Sequence, residues 1–191
     1  MRARSLVSAS MSSPEESRRD RGEVARHRIL DSHTGPFFVR RDAHGSIETG
    51  WCDMLDGPGG SGRTIESLGE VDTDLLPGLC ERILLAMVGT RVDFDDVPTP
   101  SGTGFQRAVW NTTRTVECGS TATYGDLARC VGRPKAARAI GQAMRRNRLP
   151  IVIPCHRIIG AGGLGGFGGE RAGTNRWSEI KTALLRAERA D

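Results

Sequence analysis

Cys155 and His156 stand side by side in the segment Pro154-Cys155-His156-Arg157, between the apolar run Ile151-Val152-Ile153 and a glycine-rich stretch. A thiolate is a strong nucleophile, and imidazole is the side chain best matched to taking a thiol proton near neutral pH. A strand that ends in proline and delivers both residues together would hold the thiol beside its base, as covalent sulfur chemistry requires. Adjacent side chains rarely point the same way, so a bridging water is the expected link between sulfur and ring. The imidazole also needs an acceptor for its other nitrogen, and a carboxylate from the C-terminal helix around Lys181 to Glu188 is the best candidate. A cysteine after an apolar strand is more often an inert buried thiol, and a lone histidine there a structural one. Placed jointly behind Pro154, the pair fits those readings less well.

The elements that must position this pair lie in the second half of the chain. Phe105 to Thr115 reads as a helix with Phe105, Val109 and Trp110 on its apolar side. Thr123-Tyr124-Gly125-Asp126 has the form of a capping box, with Asp in place of the usual Glu. The helix it opens ends at Gly132, and Pro134 fits the first turn of the next, which runs to about Arg146. Helix, glycine-bearing turn and second helix form a helix-turn-helix pattern. At 100° per residue the second helix puts Ala136, Ala139, Ile140, Ala143 and Met144 toward the core and Arg138, Gly141, Gln142 and Arg145 outward. The outer face is basic at its ends and nearly bare in the middle, so it can approach a DNA surface closely, although a solvated basic face would look the same.

The first half is plainer. Residues 1–26 are polar, charged and non-periodic and read as a disordered tail, with regular structure from near Ile29. Phe37-Phe38-Val39 and Ile47 to Trp51 read as hairpin strands joined through Asp42 to Gly45. Leu75 to Val88 has helical spacing, and the turn-rich stretch from Asp93 to Gly104 reads as the boundary between an N-terminal domain at 27–98 and a second domain at 99–191.

Net charge is +4, and no Asp or Glu falls between Arg129 and Arg157. Five cysteines without CxxC spacing give neither a disulfide framework nor a zinc ribbon, which suggests a reducing compartment. No apolar run reaches the length of a membrane span, and no secretory leader is visible, so a soluble cytoplasmic protein is expected. Cys52 and Cys80 with His33 or His44 lack diagnostic metal spacing. Gly160-Ala161-Gly162-Gly163-Leu164-Gly165 matches GxGxxG but is followed by glycine and Phe167 rather than a helix, so it reads as a pocket-bordering loop and not a dinucleotide site.

The segment from Gly102 to Gly169 resembles the catalytic domain of the O6-alkylguanine-DNA alkyltransferases, the methylated-DNA–protein-cysteine methyltransferases. The resemblance rests on Gly102 through Trp110, Thr123 through Ala128, Pro134 through Gly141 and Asn147 through Ile159, four motifs in order. It implies an α/β, ribonuclease H-like N-terminal domain (a short antiparallel sheet plus helix) and a mainly helical C-terminal domain. It implies single-turnover transfer of an alkyl group from O6-alkylguanine, and from O4-alkylthymine, in duplex DNA to Cys155. His156 would be the water-mediated base, Glu188 would complete the relay, Asn147 would hold the turn that positions the cysteine, and Tyr124 would help protonate the departing guanine. Arg138 would fill the space of the flipped nucleotide, with Lys135, Ala137, Gly141 and Arg145 on the DNA-binding helix in the minor groove. Pro154, Arg157, Phe167 and Gly168 would border the substrate pocket. No metal or cofactor is implied, and the protein would act as a monomer on alkylated double-stranded DNA. Two departures stand out: Phe167 replaces a tyrosine, and the stretch from Glu170 to Ile180 is several residues longer than expected, which makes Glu179 a second candidate for the relay carboxylate.

Two other classes are compatible with parts of the sequence. A non-catalytic lesion-binding protein would not need Cys155, and a Cys-His hydrolase would turn over repeatedly and require an oxyanion hole.

Overall fold

The computed structural model describes residues 24–55, 62–164 and 176–189. The N-terminal half is a four-stranded sheet in the order β3-β2-β1-β4 with one helix, α1 (Pro77–Met87). Strands β2 (Phe37–Arg41) and β3 (Ile47–Trp51) form the expected hairpin. Its turn is built by Asp42, whose Oδ1 accepts the backbone N–H groups of His44 and Ser46 at 2.9 and 2.8 Å. That is the local bonding which makes aspartate a turn residue.

The sheet is mixed, not purely antiparallel. β1 (Arg26–Leu30) pairs antiparallel with β2 and parallel with β4 (Glu70–Val71). Regular structure therefore begins at Arg26, ahead of Ile29. The strand is hard to see in sequence because charged residues alternate through it, and because one of its inward residues is a histidine. His27 is buried and meets the Gly69 carbonyl at 3.1 Å through Nδ1.

The C-terminal half is mainly helical: α2 (Gly104–Arg114), α3 (Tyr124–Cys130), α4 (Ala137–Arg145) and α5 (Arg176–Ala187). Two short strands, β5 (Ala122–Thr123) and β6 (Ile158–Ile159), pair in parallel and tie the start of α3 to the segment after Cys155. Both α2 and α3 open with complete capping boxes, Thr103 with Gln106 and Thr123 with Asp126, each satisfying two orphan N–H groups. α3 closes with a Schellman motif around Gly132 (φ +70°), in which Arg133 N–H reaches the Ala128 carbonyl at 2.8 Å.

α4 starts at Ala137, three residues later than expected, because Arg133 to Ala136 close a turn of their own: Ala136 N–H donates to the Arg133 carbonyl at 2.8 Å. Ile140, Ala143 and Met144 face inward, whereas Ala139, expected inside, is exposed.

The two halves share one core. Leu30, Phe37, Val39 and Trp51 of the sheet and Leu79, Ile83 and Met87 of α1 pack with Leu149, Ile151, Val152, Ile153, Ile180 and Leu184. Each such side chain contributes about 1.5–3 kcal/mol on burial, so the apolar run before Cys155 is held by both halves. A second core beneath the helix-turn-helix contains Val109, Leu127, Ile140, Met144, Ile158 and Cys155 itself.

Candidate active site

The run Ile151 to Ile153 is a tight turn, not a strand. Ile151 sits at φ +74°, a conformation that costs a β-branched residue on the order of 1–3 kcal/mol and needs outside support. The support comes from Asn147, whose Oδ1 accepts Leu149 N–H at 2.9 Å and whose Nδ2 donates to the Ile153 carbonyl at 3.0 Å. The Ile153 and Cys155 amides close the turn onto the Leu149 and Ile153 carbonyls at 2.8 and 2.7 Å. Cys155, His156 and Arg157 then form a single 3-10 turn.

From that turn the three side chains diverge. The His156 Nε2 lies 2.8 Å from Oε1 of Glu188, and both groups are buried. Arg157 Nε and Nη2 donate to the same oxygen at 3.0 and 2.9 Å, and its Nη1 donates to the Val116 carbonyl at 2.8 Å. Gly119 N–H adds a bond to Glu188 Oε2 at 3.2 Å. Glu179, the second candidate, is exposed and pairs with Arg176 instead. The length of the preceding stretch thus leaves α5 delivering Glu188, not Glu179, to the histidine.

Burial of the carboxyl would raise its pKa, but the bonds and charges of His156 and Arg157 outweigh it and hold Glu188 down to about 2. Burial pushes His156 below its ordinary value against the pull of Glu188, so the ring is neutral at pH 7 and able to accept a proton. Cys155 is 4% exposed, and burial pushes its thiol up; Asn147 and the charge of Lys181 act in the opposite direction. Lys181, 1% exposed, donates through Nζ to the carbonyls of Ile158 and Leu164 at 2.5 and 2.7 Å. Burial presses its pKa down to about 8, while a Cys155 thiolate would raise it. The resting site is therefore a neutral thiol with a cation close by, a neutral base and a fixed carboxylate.

The thiol faces a cleft of about 640 Å³ lined among others by Cys155, Tyr124, Met144, Asn147, Gly141 and Arg145. Tyr124, at the first turn of α3, is half-buried, and burial and the neighbouring Cys155 push its hydroxyl up to about 12. It stays protonated at any physiological pH and can donate. The cleft opens onto α4, whose outward Arg138, Gln142 and Arg145 are exposed around the half-buried Gly141.

Residues 104–190 match the family model for the 6-O-methylguanine DNA methyltransferase DNA-binding domain. The methylated-DNA–protein-cysteine methyltransferase of Mycobacterium tuberculosis is 36% identical over 165 residues, 86% of this chain and 92% of the relative. This chain belongs to the methylated-DNA–protein-cysteine methyltransferase family. The Kluyveromyces lactis relative is 50% identical over 91 residues, which is 47% of this chain and 44% of that protein. A crystal structure of M. tuberculosis OGT in complex with DNA superposes with a TM-score of 0.68 at 30% identity, covering 86% of this chain and 93% of that one.

Set beside the alkyltransferase residues expected from sequence, the structure brings Cys155, Tyr124, Asn147, Gly141 and Arg145 to one cleft and places His156 and Glu188 behind it. Lys135 and Arg138 are exposed and Ala137 half-buried on the helix-turn-helix, beyond the described cleft lining. Pro154 and Arg157, expected at the pocket, are not among the described residues that line the cleft, and the Arg157 guanidinium is bonded to Glu188 instead. Phe167 and Gly168 lie outside the described residues. Sequence reasoning missed the bonding of Gly119 and the closeness of Lys181 to the thiol. A lysine amid the apolar residues Ile180, Leu184 and Leu185 of α5 was the available signal. Among the described residues, no group of three or more His, Cys, Asp or Glu side chains could hold a metal, and no helix is long and apolar enough to cross a membrane.

Proposed function

We propose that this protein repairs DNA by moving the alkyl group of O6-alkylguanine from a duplex onto Cys155, irreversibly and once per molecule. The observation that carries this is the joint placement of the Cys155 thiol and the Tyr124 hydroxyl in one cleft that opens onto the bare-faced helix α4. A side-chain sulfur cannot reach the O–CH3 bond of a stacked base in line, so the nucleotide must leave the duplex, and Arg138 on α4 fills its place. Lys135, Ala137, Gly141 and Arg145 serve the helix in the minor groove.

The chemistry balances within these residues. His156 takes the Cys155 proton through a water, and the imidazolium so formed is stabilised by the Glu188 carboxylate, itself fixed by Arg157. The thiolate, close to the Lys181 cation, attacks the alkyl carbon. The C–S bond forms, the C–O6 bond breaks, and its electron pair goes to the purine, which takes a proton from Tyr124; the proton held by His156 is then released and the tyrosinate takes one back from solvent. A thioether is inert to water, so no turnover follows. O4-alkylthymine presents the same O–alkyl bond and is a second substrate in this reading, and the protein acts as a monomer.

The test is a titration of a duplex carrying O6-methylguanine with the full chain. One lesion should disappear per protein, with no further loss on longer incubation. Repeated turnover, or binding with the lesion unchanged, would refute the proposal.

A further inference from the structure

Strand β3 is the outer strand of the N-terminal sheet, and its free edge is turned toward the catalytic turn. Thr49 N–H donates to the Arg148 carbonyl at 2.9 Å, and Thr49 Oγ1 donates to the Pro150 carbonyl at 2.9 Å in a buried bond. Next to it Arg148 Nη1 reaches Glu48 Oε1 at 3.0 Å, and Glu48 is itself held by Arg40 and Arg63, each at 2.9 Å. The two carbonyls that Thr49 grips flank Leu149, and that of Pro150 immediately precedes Ile151, the left-handed residue of the turn. An unpaired edge N–H and a buried hydroxyl both need acceptors. Here the acceptors are supplied by the segment whose far end carries Asn147 on one side and Cys155 on the other.

We infer that Thr49 is a positioning residue for the alkyl-transfer step: through Arg148 and Pro150 it fixes the strained turn that seats Asn147 and the Cys155 sulfur. The inference rests on the methyl-transfer reading above. Thr49 lies in the wall of the same cleft as Cys155, but its hydroxyl is engaged with the Pro150 carbonyl, and it acts by keeping the nucleophile within a narrow geometric tolerance. The turn cannot hold a β-branched residue at positive φ unaided, and the nearest source of restraint outside the C-terminal half is this strand edge. The N-terminal sheet is thereby part of the catalytic apparatus, although sequence placed it in a separate domain.

Single-turnover kinetics separate this role from mere stability, because the amplitude counts folded, competent molecules and the rate constant reports geometry in those that react. Free O6-benzylguanine is the probe, so DNA binding does not enter. Thr49→Val removes the hydroxyl and keeps the shape. It should lower the limiting rate about tenfold or more, leave the half-saturating concentration unchanged, and leave one alkyl group transferred per folded protein. Thr49→Ser restores the donor and should return the rate to within about twofold of wild type. Thr34→Val is the control: it deletes another buried hydroxyl of the N-terminal half, in the connection between β1 and β2, which accepts from Trp51 Nε1 and meets Ser32 Oγ, each at 3.0 Å, and it should keep the wild-type rate constant. If Val is not tolerated, Thr49→Ala makes the same deletion and is judged by the same criteria. A wild-type rate constant in Thr49→Val, an equal loss in Thr34→Val, a loss confined to amplitude, or no recovery in Thr49→Ser would each overturn the inference. Failure of the wild-type chain to transfer at all would instead remove the functional reading on which it rests.

Discussion

His156 and Glu188, 32 residues apart in sequence, meet at 2.8 Å in the interior, and Arg157 grips the same carboxylate oxygen from the next position along the chain. One carboxylate thus orients the base and anchors its neighbour. Glu188→Gln keeps the shape and removes the charge. The imidazolium loses its stabilising anion, so single-turnover transfer should slow by about tenfold or more. Arg157 is left without a counter-charge, and chemical denaturation should show a loss of about 3 kcal/mol. Unchanged transfer would mean that the carboxylate has only an architectural role.

The same network sets the acid stability of the fold. Glu188 has its pKa depressed from 4.5 to about 2, so its contribution is full above pH 4.5 and is lost as pH falls toward 2. His156 is also depressed below 6.5, so the unfolded chain binds a proton more readily, and stability declines as pH drops below about 6.5. Denaturant midpoints measured across this range should fall in two stages, and Glu188→Gln should lose the lower one. Parallel curves for the two proteins would contradict this reading.

Lys181 carries the positive charge that favours a Cys155 thiolate, and its pKa of about 8 puts the loss of that charge within reach of ordinary buffers. The limiting transfer rate should decline above about pH 8. Lys181→Met should transfer about tenfold more slowly at pH 7 and show no such decline. A variant with a low rate and the wild-type alkaline limb would assign the limb to another group.

Arg138 is exposed on α4. Arg138→Ala should slow repair of duplex O6-methylguanine by about tenfold or more while leaving reaction with free O6-benzylguanine within about twofold. Equal losses on both substrates would remove its role in flipping.

Much of the site was legible in the chain because its signals are local. The capping box of Thr123 and Asp126, the Schellman glycine Gly132 and the pairing of Cys155 with His156 each depend on residues a few positions apart. What was not legible depends on long-range bonds. The apolar run Ile151 to Ile153 suggests a strand, yet Asn147 and Thr49 bend it into a turn through bonds that no local pattern announces. β1 was obscured by alternating charged residues and a buried His27, and the parallel partner β4 is only two residues long. The resemblance put Arg157 at the pocket, but a 3-10 turn sends the side chains of Cys155, His156 and Arg157 in different directions, and the guanidinium meets Glu188.

The most direct test is to react the protein with a duplex bearing one O6-methylguanine, digest it, and locate the added mass by tandem mass spectrometry. A single methyl group on the sulfur of Cys155, with the Cys155→Ala variant still binding the duplex but gaining no methyl, is the expected result. A methyl group on any other residue, or none on a protein that has bound the lesion, would contradict the assignment.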